Sequence, residues 1–550
     1  MNARRDILIA FVFLSLSAGL ILTSLWTEGP TYDEPVYIMA GHAYLTSGRF
    51  DINPEHPPAW KELAAIPLVT AGVREPVEPW NDPAFSAETI FRLARMPGVV
   101  LFLFTGWLVF LWSKELWGEA GGLVSLFLYA LSPNLLAFAR LVTPDFPAAA
   151  SWLIAFYTYW KFCRDRSNRN LCLSGLALGF ALGCRHSSLL LLPLFLVIHH
   201  LYTRTAENEV ETEGKDTLVT RYLPILKLFG SSFLVLAICY GFVGLPNYFS
   251  GVWKFASHAA SSGHDAFLLD RHSNKGWWHY FLVAIALKTP VPTLLCTAAA
   301  LVFWKKGKTD RTAILFLWLP IAIFLMTASL NKVNLGLRLI LPIYPLLFVG
   351  LGRLATLELV RKPAMKIALA VLGLWYFWGA MGIHPGYISY FNELAGPSNG
   401  YKYLSDSNID WGQDLPRLGV YMREKGVKGI HLAYFGYAPP SYYGIRFQFL
   451  PTGDEGRDRL LQMDSGDFRN LERPRLLAIS VTLLKGVPFG DHSLYSWLEE
   501  REPVGRVGHS ILVYDITSDP RSARILAETY GNFGLSKLAE FEANVVAGEQ

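Results

Sequence analysis

The sequence predicts a polytopic α-helical membrane protein with a small soluble α/β domain at its C-terminal end. Three observations predict it. Of 550 residues, 52% are hydrophobic and only 17% are charged, too apolar for an ordinary soluble chain of this length. Apolar runs recur as far as residue 383, and most approach the roughly 20 residues that a helix needs to cross a hydrocarbon core. From about residue 384 the runs shorten and turn residues separate them, as in a soluble domain.

The first run, Ile7 to Trp26, follows Arg4 and Arg5. It is long for a signal h-region and no small-residue cleavage site ends it, so it reads as a membrane helix. A polar loop, 27–94, comes next. Further spans are expected at 95–113, 119–140, 146–162, 171–184, 187–202, 222–245, 279–303, 312–330, 335–352 and 365–383. The total is about eleven crossings. Lys and Arg in short loops are retained on the cytoplasmic side. Arg4 and Arg5, Lys114, Lys161 with Arg164, Arg166 and Arg169, Lys305 with Lys306 and Lys308, and Arg353 with Arg361 and Lys362 all fall on one face of this alternation. The N-terminus is therefore expected inside a plasma (inner) membrane, and residues 384–550 outside it. Within that domain, Ile430–Phe435, Arg475–Val481 and Ser510–Ile516 read as strands, and Leu415–Lys425 and Ala523–Ala547 as helices. Thr205 to Lys215 reads as a charged loop.

Composition also excludes some functions. The net charge of +4 is small and its basic residues sit in short loops, so there is no nucleic-acid footprint. The five cysteines lie in or beside apolar segments without metal-type spacing. Asp406, Asn408 and Asp410 have calcium-loop spacing, but the glycine is misplaced and Arg417 stands where the closing Glu belongs. A capped helix start with Trp411 packed on the membrane part is the simpler expectation. Use of a divalent ion stays open.

The chemistry points to the outer face. Asp33 and Glu34 follow the first helix, and Asp145 begins the fourth, so two acidic sites distant in sequence can meet in one cleft. Each also suits a helix start, as a dipole-favoured pair or an N-cap. His56 and Lys61 lie in Glu55-His56-Pro57-Pro58-Ala59-Trp60-Lys61, which also fits a Pro-led amphipathic helix with a snorkelling lysine. Arg140, Arg185 and Arg338 add cations on the same side. Charged groups at the ends of apolar spans are costly unless solvated or paired, so several together suit an anionic ligand. A sugar phosphate on a membrane lipid satisfies both the acids and the cations.

These residues resemble the membrane glycosyltransferases of the C-type fold, the family that includes protein O-mannosyltransferases and bacterial aminoarabinose transferases. The resemblance is carried by Asp33-Glu34, by His56-Pro57-Pro58 with Lys61, by Asp145, by the Gly-x-x-x-Gly rhythm of Gly175 to His186, and by Arg338-Leu-Ile-Leu-Pro-Ile-Tyr-Pro345. It implies transfer of a sugar from a polyprenyl phosphate carrier to an acceptor hydroxyl at the non-cytoplasmic face. Arg185 stands where members often carry Lys, and holds phosphate as a planar fork rather than a point charge. The C-terminal region lacks the β-trefoil additions of eukaryotic relatives, leaving the acceptor open among lipid, glycan and protein. Asp33 is then the expected general base of an inverting transfer. Glu34 and Asp145 would orient substrates or help hold a metal, and His56, Lys61, Arg140, Arg185 and Arg338 would hold the phosphate. A transporter is the alternative, but it predicts an internal repeat and ionisable groups at mid-span, and neither is visible.

Overall fold

The computed structural model describes residues 3–74, 79–207, 218–261, 264–303, 311–465, 475–517 and 519–547. Most of the expected charged loop after Thr205, and Lys305, Lys306 and Lys308, lie outside the described residues. Helix α1 (Ala3–Thr27) is followed by a pair, α2 (Glu34–Ser47) and α3 (Ala59–Ala71), and then by α4 (Ala87–Ala130). The last is continuous only in name. Gly118 takes φ 80° and ψ −179°, a conformation open to glycine because it lacks a Cβ. There the helix folds back on itself. Tyr129 donates to the carbonyl of Phe102 at 2.8 Å, whereas 27 residues of straight helix would separate them by roughly 40 Å. The two expected spans 95–113 and 119–140 are thus the arms of a hairpin, the second continued by the short α5 (Pro133–Ala139).

Helices α6 (Asp145–Arg164), α7 (Asn168–Cys184), α8 (Leu191–Glu207) and α9 (Leu218–Cys239) pack beside it. The Gly-x-x-x-Gly rhythm has a packing cause here. A Cβ on Gly175 would fall 1.9 Å from the Ser231 hydroxyl and one on Gly179 2.5 Å from Val235, so these glycines allow α7 and α9 the close approach that apolar packing needs in lipid. Then come α10 (Pro246–Ser261), α11 (Tyr280–Lys288) and α12 (Val291–Val302), followed by helices at Leu319–Ser329, Ile343–Leu351 and Pro363–Gly382. Among the described residues, six helical segments are long and apolar enough to cross a membrane. The expected straight span 279–303 is instead α11 and α12, which meet at 117°. Counting that pair as one span gives up to seven such segments. The expected spans 146–162, 171–184 and 335–352 are helical but are not among them.

The bend is filled by the chain that leaves the last membrane helix. Asn392 donates to the carbonyls of Ala286 and Thr289 at 2.6 and 2.7 Å, and Lys288 donates to those of Ile388, at 2.8 Å, and Asn408. The same stretch reaches the sheet, where Asp410 accepts the backbone N–H of Thr482 at 3.1 Å. Trp411 packs against Phe138, as expected, with ring centroids 6.2 Å apart. Asp414, however, makes no side-chain cap to the helix Leu415–Lys425. Its carboxylate binds Arg417 and Ser510 instead.

The C-terminal sheet has five strands in the order β4-β3-β5-β7-β6; a separate short hairpin, β1 (Ala266–Leu268) and β2 (Arg271–Ser273), precedes it. Strands β3 (Ile430–Ala433), β4 (Phe447–Phe449) and β5 (Leu476–Ser480) are parallel, while β7 (Ile511–Asp515) pairs antiparallel with both β5 and the edge strand β6 (Gly505–Val507). The three expected strands are β3, β5 and β7. The three-residue β4 and β6 have too little periodicity to be read from sequence. The expected helix Ala523–Ala547 is two, Pro520–Asn532 and Ser536–Ala547, divided near Gly534 with φ 72°.

Candidate active site

Asp33 and Asp145 stand at helix starts, but neither caps its helix. Asp33 holds the N-cap position of α2 without a side-chain cap bond, and α6 starts at Asp145 behind an uncapping Pro144. Their carboxylates are aimed at guanidiniums. Arg338 places one nitrogen 3.3 Å from Asp33 Oδ2 and 3.7 Å from Asp145 Oδ2, and Arg185 donates to Asp145 Oδ1 at 2.8 Å. Two acids from separate elements thus share one cation. Arg338 also lies over the Trp411 ring, 4.2 Å from its centroid. Burial raises the Asp33 carboxyl above its ordinary range, opposed by the charge of Arg338.

This four-residue cluster lies in a cleft of about 550 Å³. His56, Asn53, Tyr37 and Lys254 contribute polar groups, while Leu190, Phe255, Phe281 and Phe324 form apolar wall. Asp145 Oδ2 and Arg338 Nε are buried there without a hydrogen bond, so polar capacity is left over on the cleft side. His56 is neutral in character: burial holds its imidazole well below the ordinary range, and Lys61 and Arg185 add to that depression. It faces the cleft as a hydrogen-bonding group, not as the cation the sequence suggests.

Three expected site residues are not in this cleft. Glu34 turns away, fully buried, and accepts from Arg95 at 2.8 and 2.5 Å, from Thr31 N and Oγ at 2.8 and 3.1 Å, and from Val142 N at 3.0 Å. It ties the loop after α1 to the segment that leads into α6. Arg140 is paired with the buried Glu28, which Arg417 also approaches at 3.5 Å. Lys61 is sequestered behind the cleft wall, bonded to Tyr44 Oη at 2.7 Å and to Asn53 O and Oδ1 at 2.8 and 3.1 Å. Burial among these neutral groups pushes its ammonium well below the ordinary lysine range. In each case a charge at the end of an apolar run found a partner inside the protein, which sequence cannot distinguish from a charge facing a ligand. Conversely, sequence reasoning passed over Lys254 on α10, because a single lysine between Trp253 and Phe255 reads as an ordinary interfacial residue.

A second cleft, of about 510 Å³, meets the first at Asp33 and Arg338, which line both. It opens between the loop after α1 and the C-terminal sheet, with Tyr32, Asp406, Phe435, Asp454, Glu455 and Arg457 on its wall. Among the described residues no group of three or more His, Cys, Asp or Glu side chains is arranged to hold a metal ion.

Residues 89–212 match the family model described as dolichyl-phosphate-mannose-protein mannosyltransferase. The stretch includes Asp145 and Arg185. Among solved structures, the chain is similar to ArnT from Cupriavidus metallidurans bound to undecaprenyl phosphate, at a TM-score of 0.52 and 12% identity, covering 94% of this chain and 99% of that one. The apo state of the same protein gives a TM-score of 0.51 at 14% identity, covering 93% and 98%. At these identities the likeness is one of fold. No match is found among curated protein sequences. The chain thus has the fold of ArnT, and a segment within it, residues 89–212, matches the mannosyltransferase family model.

Proposed function

We propose that the protein transfers a sugar from a polyprenyl phosphate carrier to an acceptor hydroxyl at the extracytoplasmic face, with inversion, and that Asp33 is the general base. One observation carries this reading: Asp33 stands 3.3 Å from Arg338, where an apolar-walled cleft that holds Arg185, Lys254 and Arg338 beside Asp33, Glu55 and Asp145 meets a second cleft able to admit an acceptor. The first has what a lipid-linked sugar phosphate needs, guanidiniums for the phosphate and apolar wall for the prenyl chain. The undecaprenyl phosphate bound by the similar ArnT is a carrier of this class.

In the reaction, the acceptor oxygen attacks the anomeric carbon from the face opposite the phosphate and gives its proton to Asp33. The bond between the anomeric carbon and the phosphate oxygen breaks. The carrier leaves as a phosphate monoester bearing one more negative charge than the diester, so no acid is needed to protonate it. Arg185 and Arg338 stabilise that charge, with His56 as a hydrogen-bonding neighbour and Lys254 as a further cation. Asp145 holds both arginines in register. Arg338 is shared between Asp33 and the carrier, so a bound phosphate draws it from Asp33 and frees the base. Glu34, Arg140 and Lys61 are positioning residues in this scheme, and any divalent ion would have to be held by the acids of the cleft.

The side of the membrane is part of the same proposal: Asp145 begins α6 and Lys161 and Arg164 end it, and basic residues in short loops are retained on the cytoplasmic side. With the basic end cytoplasmic, the cleft and residues 384–550 are outside. The direct test is transfer from a panel of radiolabelled polyprenyl-phosphate sugars by the purified chain and by Asp33→Asn. Transfer that falls about a thousandfold in a well-folded variant supports the assignment; retained transfer removes Asp33 from the chemistry.

A further inference from the structure

The second cleft has the features of a binding site in its own right. It lies at the carboxyl ends of the parallel strands: Phe435 follows β3, Gly453 to Arg457 follow β4, and Val487 and Pro488 follow β5. Ligands of open α/β sheets bind at that edge, because the loops leaving parallel strands converge there. The opposite wall is the first outer loop with Tyr32 and Asp33, and Asp406 closes it from the segment between the last membrane helix and the sheet. Asp406 takes φ 57°, a left-handed conformation uncommon in non-glycine residues.

The lining is acidic. Asp33, Asp265, Asp406, Asp454 and Glu455 face Arg338, Arg457 and His264, five carboxylates against two guanidiniums and one imidazole, and both guanidiniums are engaged. Arg338 serves Asp33 and Asp145. Arg457 lies over the Tyr32 and Phe435 rings, 5.6 and 5.0 Å from their centroids, and binds Thr452 through Nε and Nη2, each at 2.8 Å. Those two rings stack at 5.3 Å, and Tyr32 donates to Asp454 at 2.9 Å. The result is a preformed aromatic wall with carboxylates around it. Phosphate is repelled by such a cleft, whereas hydroxyl and amino groups find acceptors on several sides. No residue of β3, β4 or β5 lines the cleft, which lies beyond their carboxyl ends, so no strand edge faces it. A peptide acceptor would therefore lack the backbone pairing that extended peptides use.

We infer that this cleft is the acceptor site and that it takes an unphosphorylated saccharide, neutral or amino-bearing, presenting one hydroxyl to Asp33. The inference rests on the assignment of Asp33 as base. It divides labour across that residue: the carrier phosphate binds on the guanidinium side, the acceptor sugar on the carboxylate side.

Saturation-transfer NMR on the full chain in detergent tests it. The probes are methyl glucoside, mannoside, galactoside and glucosaminide, the corresponding 6-phosphates, a serine-containing peptide, and undecaprenyl phosphate as a separate ligand. At least one methyl glycoside is expected to bind, and the phosphates and the peptide not. The double variant Asp265→Asn/Glu455→Gln changes two exposed side chains and should weaken glycoside binding about tenfold, the loss of two modest hydrogen bonds, while undecaprenyl phosphate binding stays as it was. Binding of the peptide or the phosphates in place of the glycosides, no glycoside binding, or glycoside binding indifferent to the double variant overturns the proposal. If undecaprenyl phosphate alone fails to bind, the donor assignment falls instead, and the glycoside result still stands on its own.

Discussion

Asp33 and Glu34 are neighbours in sequence, carry the same charge and face guanidiniums, yet they belong to opposite kinds of site. Glu34 is wholly buried and accepts five hydrogen bonds from three residues, so nothing is left for a ligand. Asp33 keeps 27% of its side chain exposed and has one long contact to Arg338. A carboxylate saturated by its own protein holds structure, while one paired loosely with a shared cation can exchange partners. The difference lies in how completely each charge is satisfied.

The comparison is broken most directly at the residues themselves. Asp33→Asn removes the proposed base and is expected to lower transfer about a thousandfold with the thermal transition unchanged. Glu34→Gln should do the reverse. Leaving Arg95 buried without its counter-charge costs about 3 kcal/mol or more, seen as a lowered unfolding temperature in detergent, with transfer per folded molecule close to the parent's. If folded Glu34→Gln were as inactive as Asp33→Asn, the distinction between the two carboxylates would collapse.

A smaller effect sharpens the cleft side. Arg185→Gln removes a charge-assisted contact to the carrier, and donor KM is expected to rise about tenfold to a hundredfold with a smaller change in kcat. An unchanged donor KM would place the phosphate elsewhere. The smallest effect is in the pH profile. Burial raises the Asp33 carboxyl and Arg338 pulls it down. A base acts only when deprotonated, so transfer declines as pH falls through that raised value. Arg338→Gln removes the downward pull, and the acid limb should move to higher pH; a limb that stays put or moves lower assigns it to another group.

Much of the fold was legible because it follows from local chemistry. Apolar runs mark helices wherever lipid or core must receive them, and the positions of β3, β5 and β7 follow from clusters of branched and aromatic residues. The chain reversal at Gly118 was legible as a gap between two runs. The 117° bend between α11 and α12 was not, since the groups that fill it come from residues 388–408, over a hundred positions later. The candidate site was legible as a collection of charges on one side. Asp33, His56, Asp145, Arg185 and Arg338 do share a cleft.

By itself the sequence determined the class of structure, the order of its main helices and strands, and the charged residue types that flank the apolar runs, because hydropathy and turn chemistry act over a few neighbouring residues. Tertiary structure alone decided that Arg140 meets Glu28 and Arg95 meets Glu34, that Lys61 is hidden behind Asn53, and that two clefts join at Asp33. A buried charge must find a partner, and which partner depends on elements that only folding brings together.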